Sequence, residues 1–347
     1  METNVCGGHI SLGVYDIYGF VIAVEGPADE LFSKEFGYFT VSNTTEKKVN
    51  LFVKVNKEKK SLPTRFWGLN KGLYIPFNKD ENVLLYDEGV EKLKPQDRFL
   101  DPIEILMWWP DKTRVHAGAV AKNGKAYVFT GEGGVGKTTS VLNLLQKGYE
   151  YLSEDWLIIG RGKAFPFPKR IHIFDYNLKH EEIAKKLLGR KRLYYRLKSR
   201  LLELGERYSP HIYIRYIFNK LNARNMLIVE LKELFPEAKV GNVTSISKVF
   251  LLERKKVPKI EIKEDITPEK LARKMACYNM YEWHHMFREY YYYSYLFGIK
   301  NEKIENRLNH DIEIMTETFG KAELYRVIIP ESLDLYNVDL VSTLEIC

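Results

Sequence analysis

The sequence predicts an α/β fold, with a β-rich N-terminal region, a strand–loop–helix core and a helical C-terminal region. Three observations carry that reading. Short apolar, β-branched runs crowd residues 9 to about 100. A glycine-rich stretch, GEGGVGKTTS at residues 131–140, separates a strand-like run from a helix-like one. Beyond residue 262 a long segment opens with a helix-start signal.

In the N-terminal region, VNLFVKV (49–55) is almost wholly apolar and β-branched, as a strand is. GYFTVS, GLYIPF and NVLLYD are shorter runs of the same kind between Gly, Pro, Asn and Asp punctuation. Together they predict an antiparallel sheet over residues 1–100. PIEILMWWP (102–110) is a short apolar element closed by prolines. The core is expected over 101–260. It includes a charged helical insertion at about 179–226, and SKVFLLER is a core strand. FPFPKRIHIF reads as a proline-punctuated loop leading into a strand. Residues 261–347 form the helical C-terminal region, with Thr267 as N-cap, Pro268 at the first helical position and Glu269 in the first turn. EYYYYSYLFG (289–298) reads as a core or interface helix, and HDIEIMTETF as an amphipathic helix.

The glycine-rich stretch fits G-x-x-x-x-G-K-[ST], a phosphate-binding loop (P-loop, Walker A). KAYVFT precedes it with strand character, and SVLNLLQKG follows with helical spacing and a glycine stop. Glycines let backbone N–H groups approach an anion, and a helix N-terminus favours negative charge. The motif therefore predicts nucleotide contacts from Gly131, Glu132, Gly133, Gly134, Val135, Gly136, Lys137, Thr138 and Thr139. Lys137 would reach the β/γ-phosphates and Thr138 a magnesium ion. ATP, or another nucleotide phosphoryl donor, and Mg²⁺ are the expected cofactors.

Two further features flank the loop. His116 lies upstream in VHAGAV, and the adjacent acids Glu154 and Asp155 lie downstream in YLSEDWLIIG. Phosphoryl transfer needs a metal to offset charge, donors around the phosphates and a group that orients the attacking hydroxyl. A carboxylate can be that last group if it reaches the hydroxyl.

The run from VHAGAV through GEGGVGKTTS to YLSEDWLIIG resembles the catalytic core of the HPr kinase/phosphorylase family, within the phosphoenolpyruvate-carboxykinase-like P-loop proteins. The order is the same: a His, the loop, a helix, then a strand ending in two acids. FPFPKRIHI and SKVFLLER are similar to later elements of the diverged branch. The resemblance implies a kinase that phosphorylates a hydroxyl, with His116 and Lys137 near the phosphates. It implies Glu154 as the base and Asp155, with Thr138, on the metal. Family members commonly form homo-oligomers. Glu154 stands where the family usually has Asp, and Thr139 where bifunctional members carry an acid. No copy of the HPr-docking loop is present, so HPr itself is not the implied acceptor. A protein or peptide serine, or a small-molecule alcohol, is.

A second basic feature points elsewhere. KKLLGRKRLYYRLKSR (185–200) holds eight basic residues and no acidic one, with Tyr194 and Tyr195 interleaved. Lys169, Arg170, Lys186, Arg190, Lys191 and Arg192 are thus candidate contacts for an acceptor or polyanion. An RNA- or polynucleotide-directed kinase is the alternative reading, and a nucleotide-gated binding protein without turnover is another. The net charge, +7 from 53 basic and 46 acidic residues, permits a nucleic-acid partner without requiring one. His284 and His285 are adjacent and so project from different helix faces, a poor metal pair.

Composition bounds the rest. No apolar run approaches the roughly 18 residues a membrane-spanning helix needs. The first residues lack a charged segment followed by an apolar one, so no signal peptide is expected. Three scattered cysteines form no disulfide framework or zinc spacing, which fits a reducing cytoplasm. Scarce Gln beside abundant Lys, Glu, Ile and Tyr leans towards a thermophilic source.

Overall fold

A computed structural model describes residues 12–41, 48–56, 73–74, 83–87, 100–173, 177–179, 181–189, 192–208, 227–298 and 300–333, with 213, 214, 217, 335, 338 and 342. Arg190 and Lys191 lie outside the described residues, as does the side chain of Arg192.

In chain order the elements are β1 (Leu12–Ile17), β2 (Phe20–Glu25), α1 (Ala28–Phe36), β3 (Leu51–Asn56), β4 (Leu73–Tyr74), β5 (Val83–Asp87), α2 (Asp101–Leu106), β6 (Thr113–Lys122), β7 (Lys125–Thr130) and α3 (Lys137–Gln146). There follow β8 (Glu150–Ser153), β9 (Trp156–Gly160), β10 (Lys163–Phe165), β11 (Ile171–Ile173), α4 (Glu181–Leu188), α5 (Arg192–Tyr208), β12 (Leu227–Val229), α6 (Leu231–Leu234), β13 (Thr244–Lys255) and β14 (Glu261–Lys263). Last come α7 (Pro268–Glu282), α8 (His284–Phe297), α9 (Glu302–Glu305), α10 (Arg307–Phe319) and β15 (Glu323–Pro330). This is a mixed α/β protein.

The chain divides into two compact units, neither of them a continuous stretch. One comprises residues 1–116, 158–164 and 265–324; the other 117–157, 165–264 and 325–347. The sequence suggested three consecutive regions, so segments distant in the chain have been gathered into each unit.

The first unit carries a five-stranded sheet in the order β1-β2-β3-β5-β4. It is mixed, not antiparallel: β1 pairs β2 and β4 pairs β5 antiparallel, whereas β2–β3 and β3–β5 are parallel. The cause is α1. It bridges β2 to β3 as a crossover, which parallel neighbours require. Leu31, Phe32 and Phe36 give it a buried face. GYFTVS is accordingly not a strand. It continues out of α1 as a 3₁₀ turn over Gly37–Phe39, and only Thr40 makes a bridge, to Tyr15. Among the helices of this unit α10 packs along α7, whose N-cap Thr267 accepts the Lys270 N–H as expected. Arg114, fully buried, is neutralised by Glu104 at 3.0 Å and lies 4.5 Å from the Trp283 ring.

The second unit is built on the part of the larger sheet that its residues supply, in the order β6-β7-β13-β15-β14 with β8 also on β6, β6 entering from Ala117 and β15 from Tyr325. Asn123 and Gly124, both at positive φ, turn β6 into β7 and set Thr130 opposite Ala117. SKVFLLER forms β13, parallel to β7 as a central strand. Phe129, Phe250 and Tyr325 stack in a row across β7, β13 and β15, with ring separations of 5.0 and 5.8 Å. The C-terminal region is therefore not wholly helical. ELYRVIIP is a strand, β15, because Val327 and Ile329 are fully buried beside β13.

Candidate functional site

The glycine-rich loop leaves β7 at Thr130 and enters α3 at Lys137. Its first and last glycines have no room for a side chain. A Cβ on Gly131 would stand 2.5 Å from the Leu252 carbonyl oxygen, and one on Gly136 2.5 Å from Leu335 Cδ1. Both also adopt positive φ, 143° and 116°, which other residues rarely tolerate. Glu132, Gly133 and Gly134 are exposed at the tip, while Val135 is buried and anchors the loop. Thr139 is buried behind it.

Lys137 is buried, yet its ammonium stays within the loop. Nζ donates to the carbonyls of Gly131 at 2.8 Å and Glu132 at 2.9 Å. These bonds fold the side chain back along the concave side of the loop. No side chain caps α3, and its first turn holds no acidic residue. The positive end of the helix therefore lacks a carboxylate of its own.

The two acids sit between β8 and β9. Glu154 is buried and its Oε1 accepts a short hydrogen bond from Thr138 Oγ1. It also accepts from the backbone N–H of His172 on β11. Burial, and then the charge of Asp155, push the Glu154 carboxyl well above the usual range; Thr138, His172 and Lys137 oppose that shift. Asp155 is half-buried.

The approach of helix and acid depends on Gly118, which belongs to no recognised motif. A Cβ there would lie 2.7 Å from Val141 Cγ2 and 3.1 Å from the Glu154 carbonyl oxygen. Gly118 inside the strand-like run VHAGAV is the signal the sequence offers, because a glycine within a strand often marks the close approach of another backbone. A second contribution has no signal in the sequence. Arg254 Nη1 donates to the carbonyls of Pro330, Glu331 and Leu333. Asn143 Nδ2 donates to the Val338 carbonyl at 2.9 Å. These bonds hold the segment after β15, so that Leu335 lies against Gly136.

The remaining candidates have these partners. His116 belongs to the first unit, where Asn279 Oδ1 accepts its backbone N–H at 3.0 Å and Nδ1 lies 3.4 Å from Glu282 Oε1. Lys169 and Arg170 are half-buried just before β11, with the Lys169 ammonium 5.9 Å from the Phe167 ring centre. Lys186 acts as a structural clasp. Its Nζ donates to the Leu234 carbonyl at 2.8 Å and lies over the Phe235 ring, which closes α6. His284 and His285 stand with ring centres 5.4 Å apart, and Nε2 of His285 lies 3.2 Å from Asp101.

Among the described residues no group of three or more His, Cys, Asp and Glu could hold a metal ion. A magnesium ion needs no such cage. It keeps several waters and takes one or two carboxylates, completing its shell with phosphate oxygens. Thr138, Glu154 and Asp155 fit that demand, and a buried carboxyl beside another acid is what a cation would relieve. Among the described residues no helix is long and apolar enough to cross a membrane.

Loop and acid together define an α/β protein in which a glycine-rich loop leads into α3 and a buried carboxyl lies within hydrogen-bond reach of that helix. No protein-family model matches the chain and no curated protein matches it, so residue geometry alone carries the functional reading.

Proposed function

We propose that the second unit is a nucleotide- and magnesium-dependent kinase, similar to the HPr kinase/phosphorylase family. It would move a phosphoryl group from ATP or a related donor to a hydroxyl on a protein, peptide or small molecule. The bond from Thr138 to Glu154, beside a lysine already folded into the glycine loop, is the observation that carries this reading. A bare anion site would need the loop and the helix end. It would not need a buried acid in contact with the first helical turn.

In this proposal Lys137 exchanges its two carbonyl partners for phosphate oxygens, and the N–H groups at the start of α3 take the rest of the phosphate charge. Mg²⁺, when bound, offsets charge on the phosphates. Thr138 and Glu154 would hold it on the protein side. That exchanges the two acid roles implied by the resemblance, because Glu154 is the acid bonded to Thr138. Asp155 is then the group that orients or deprotonates the acceptor hydroxyl.

The deciding test is incubation of the protein with γ-labelled ATP and Mg²⁺ against cell-extract fractions separated into proteins, RNA and small molecules. Label transferred to a protein or small molecule, and absent with Lys137→Ala, is the expected result. Label confined to RNA would favour the polynucleotide-directed reading. Nucleotide binding with no transfer to any fraction would leave a binding protein, and no nucleotide binding would overturn the site.

A further inference from the structure

Helix α5 carries an apolar stripe on its exterior. Tyr194, Leu197, Leu201, Leu204 and Tyr208 are exposed, each by at least half of its surface. Their spacing alternates three and four residues, the a/d pattern of a coiled-coil seam. At 3.6 residues per turn the five fall within an arc of about 80°. Leu202, which points away from that arc, is buried, at 8% exposure. The helix is thus held to its own unit by one side and offers a heptad seam on another. A solitary exposed leucine calls for no explanation, but an unbroken seam of five does.

The flanks of the seam state what kind of partner suits it. Lys198, half-buried, borders one edge of the stripe and Arg200, exposed, the other. The helix sequence RLYYRLKSRLLELGERY holds five basic residues and two acidic ones. Residues 185–200, leading into and through its first half, hold eight basic and none acidic. Two copies of this helix would bring like charges together along their edges, which opposes self-pairing. Nucleic acid would use the basic residues but would gain little from Leu197, Leu201 and Leu204, which neither stack on bases nor bind phosphate.

We propose that the exposed face of α5 is a docking surface for an acidic amphipathic helix of another protein, with apolar residues at a/d and Glu or Asp on its flanks. The apolar seam would supply the contact area and the flanking charges the choice of partner. The test of this surface does not depend on phosphoryl transfer.

The test uses the full-length protein and a labelled synthetic three-heptad peptide, with Ile at a, Leu at d and Glu at e and g. Its own charges disfavour self-association. A peptide with Lys at e and g and a single-stranded 20-nucleotide RNA are the comparison probes. Fluorescence anisotropy should show saturable binding of the acidic peptide, weakened at least tenfold by Leu201→Glu and by raised salt. The paired change Lys198→Glu with Arg200→Glu should shift preference towards the Lys-flanked peptide. Because all three positions are solvent-facing or half-buried, unchanged thermal melting verifies that each variant is folded. Failure of the acidic peptide to bind overturns the proposal, and so does binding that survives Leu201→Glu in a folded variant. Tighter binding of RNA, unaffected by Leu201→Glu, assigns the surface to nucleic acid instead. Sedimentation as a dimer that Leu201→Glu dissociates assigns it to a second copy.

Discussion

At the residue scale the site turns on two side chains. Lys137 directs its ammonium to two carbonyls of the loop itself, those of Gly131 and Glu132. Lys137→Ala is therefore expected to abolish nucleotide-dependent activity with little change in melting temperature; a large loss of stability would make the lysine a structural strut. Glu154 carries a pH signature. Its carboxyl is raised from an ordinary 4.5 to about 8, chiefly by burial and secondly by Asp155. Between those values the folded protein keeps a proton that the unfolded chain has lost, so stability falls as pH rises through that window. The ligand-free protein should melt at progressively lower temperature from pH 5 to 8, and Glu154→Gln should flatten that decline. Identical slopes in the two proteins would mean that Glu154 does not titrate there. The division of labour between the acids is separable by magnesium titration. Glu154→Gln should raise the magnesium needed for nucleotide binding, whereas Asp155→Asn should leave binding intact and cut turnover by about 10²-fold. The opposite pattern would restore the roles implied by the resemblance.

At the scale of elements, the site depends on how closely α3 approaches β6 and the acid-bearing turn. Gly118 sets that distance, with Val141 on one side and the Glu154 backbone on the other. Gly118→Val adds volume where none is free, and either the helix or the turn must shift. The Thr138–Glu154 bond should lengthen or break, lowering turnover at least tenfold. A folded variant with full activity would show that this approach is not needed. What is legible in the sequence follows the same logic. The strand, loop and helix around residue 131 are readable because a contiguous motif carries them, and β13 because its apolar run is nearly unbroken. The crossover helix α1 escapes such reading because ADELFSKEF is short and half charged, so tertiary packing rather than local pattern decides it. Strand β15 escapes it because it lies at the end of a region dominated by helices. The Thr138–Glu154 contact is not legible at all, since the alternation of a strand does not say where two residues at its end will turn.

At the scale of the whole molecule, the segments of each unit are interleaved along the chain. Stopping the chain after Leu324 removes from the second unit the remainder of β15 and the segment that carries Leu335. The shortened protein is expected to lose nucleotide binding although its whole glycine motif is present, as isothermal titration would register. Retained affinity would mean that the C-terminal segment is dispensable to the loop. The same interleaving has a consequence for synthesis. Domains ordinarily fold as units, N-terminal first, while the ribosome is still elongating the chain. Here the residue that packs against Gly136, Leu335, is translated long after the glycine loop itself. The first unit likewise awaits α7, α8 and α10. A nascent chain paused midway therefore presents the strands of both units with apolar edges and no closing partner, a state that invites chaperone capture. Closure of the loop by Leu335 therefore lags far behind synthesis of the loop, and waits until the segment beyond β15 has left the ribosome.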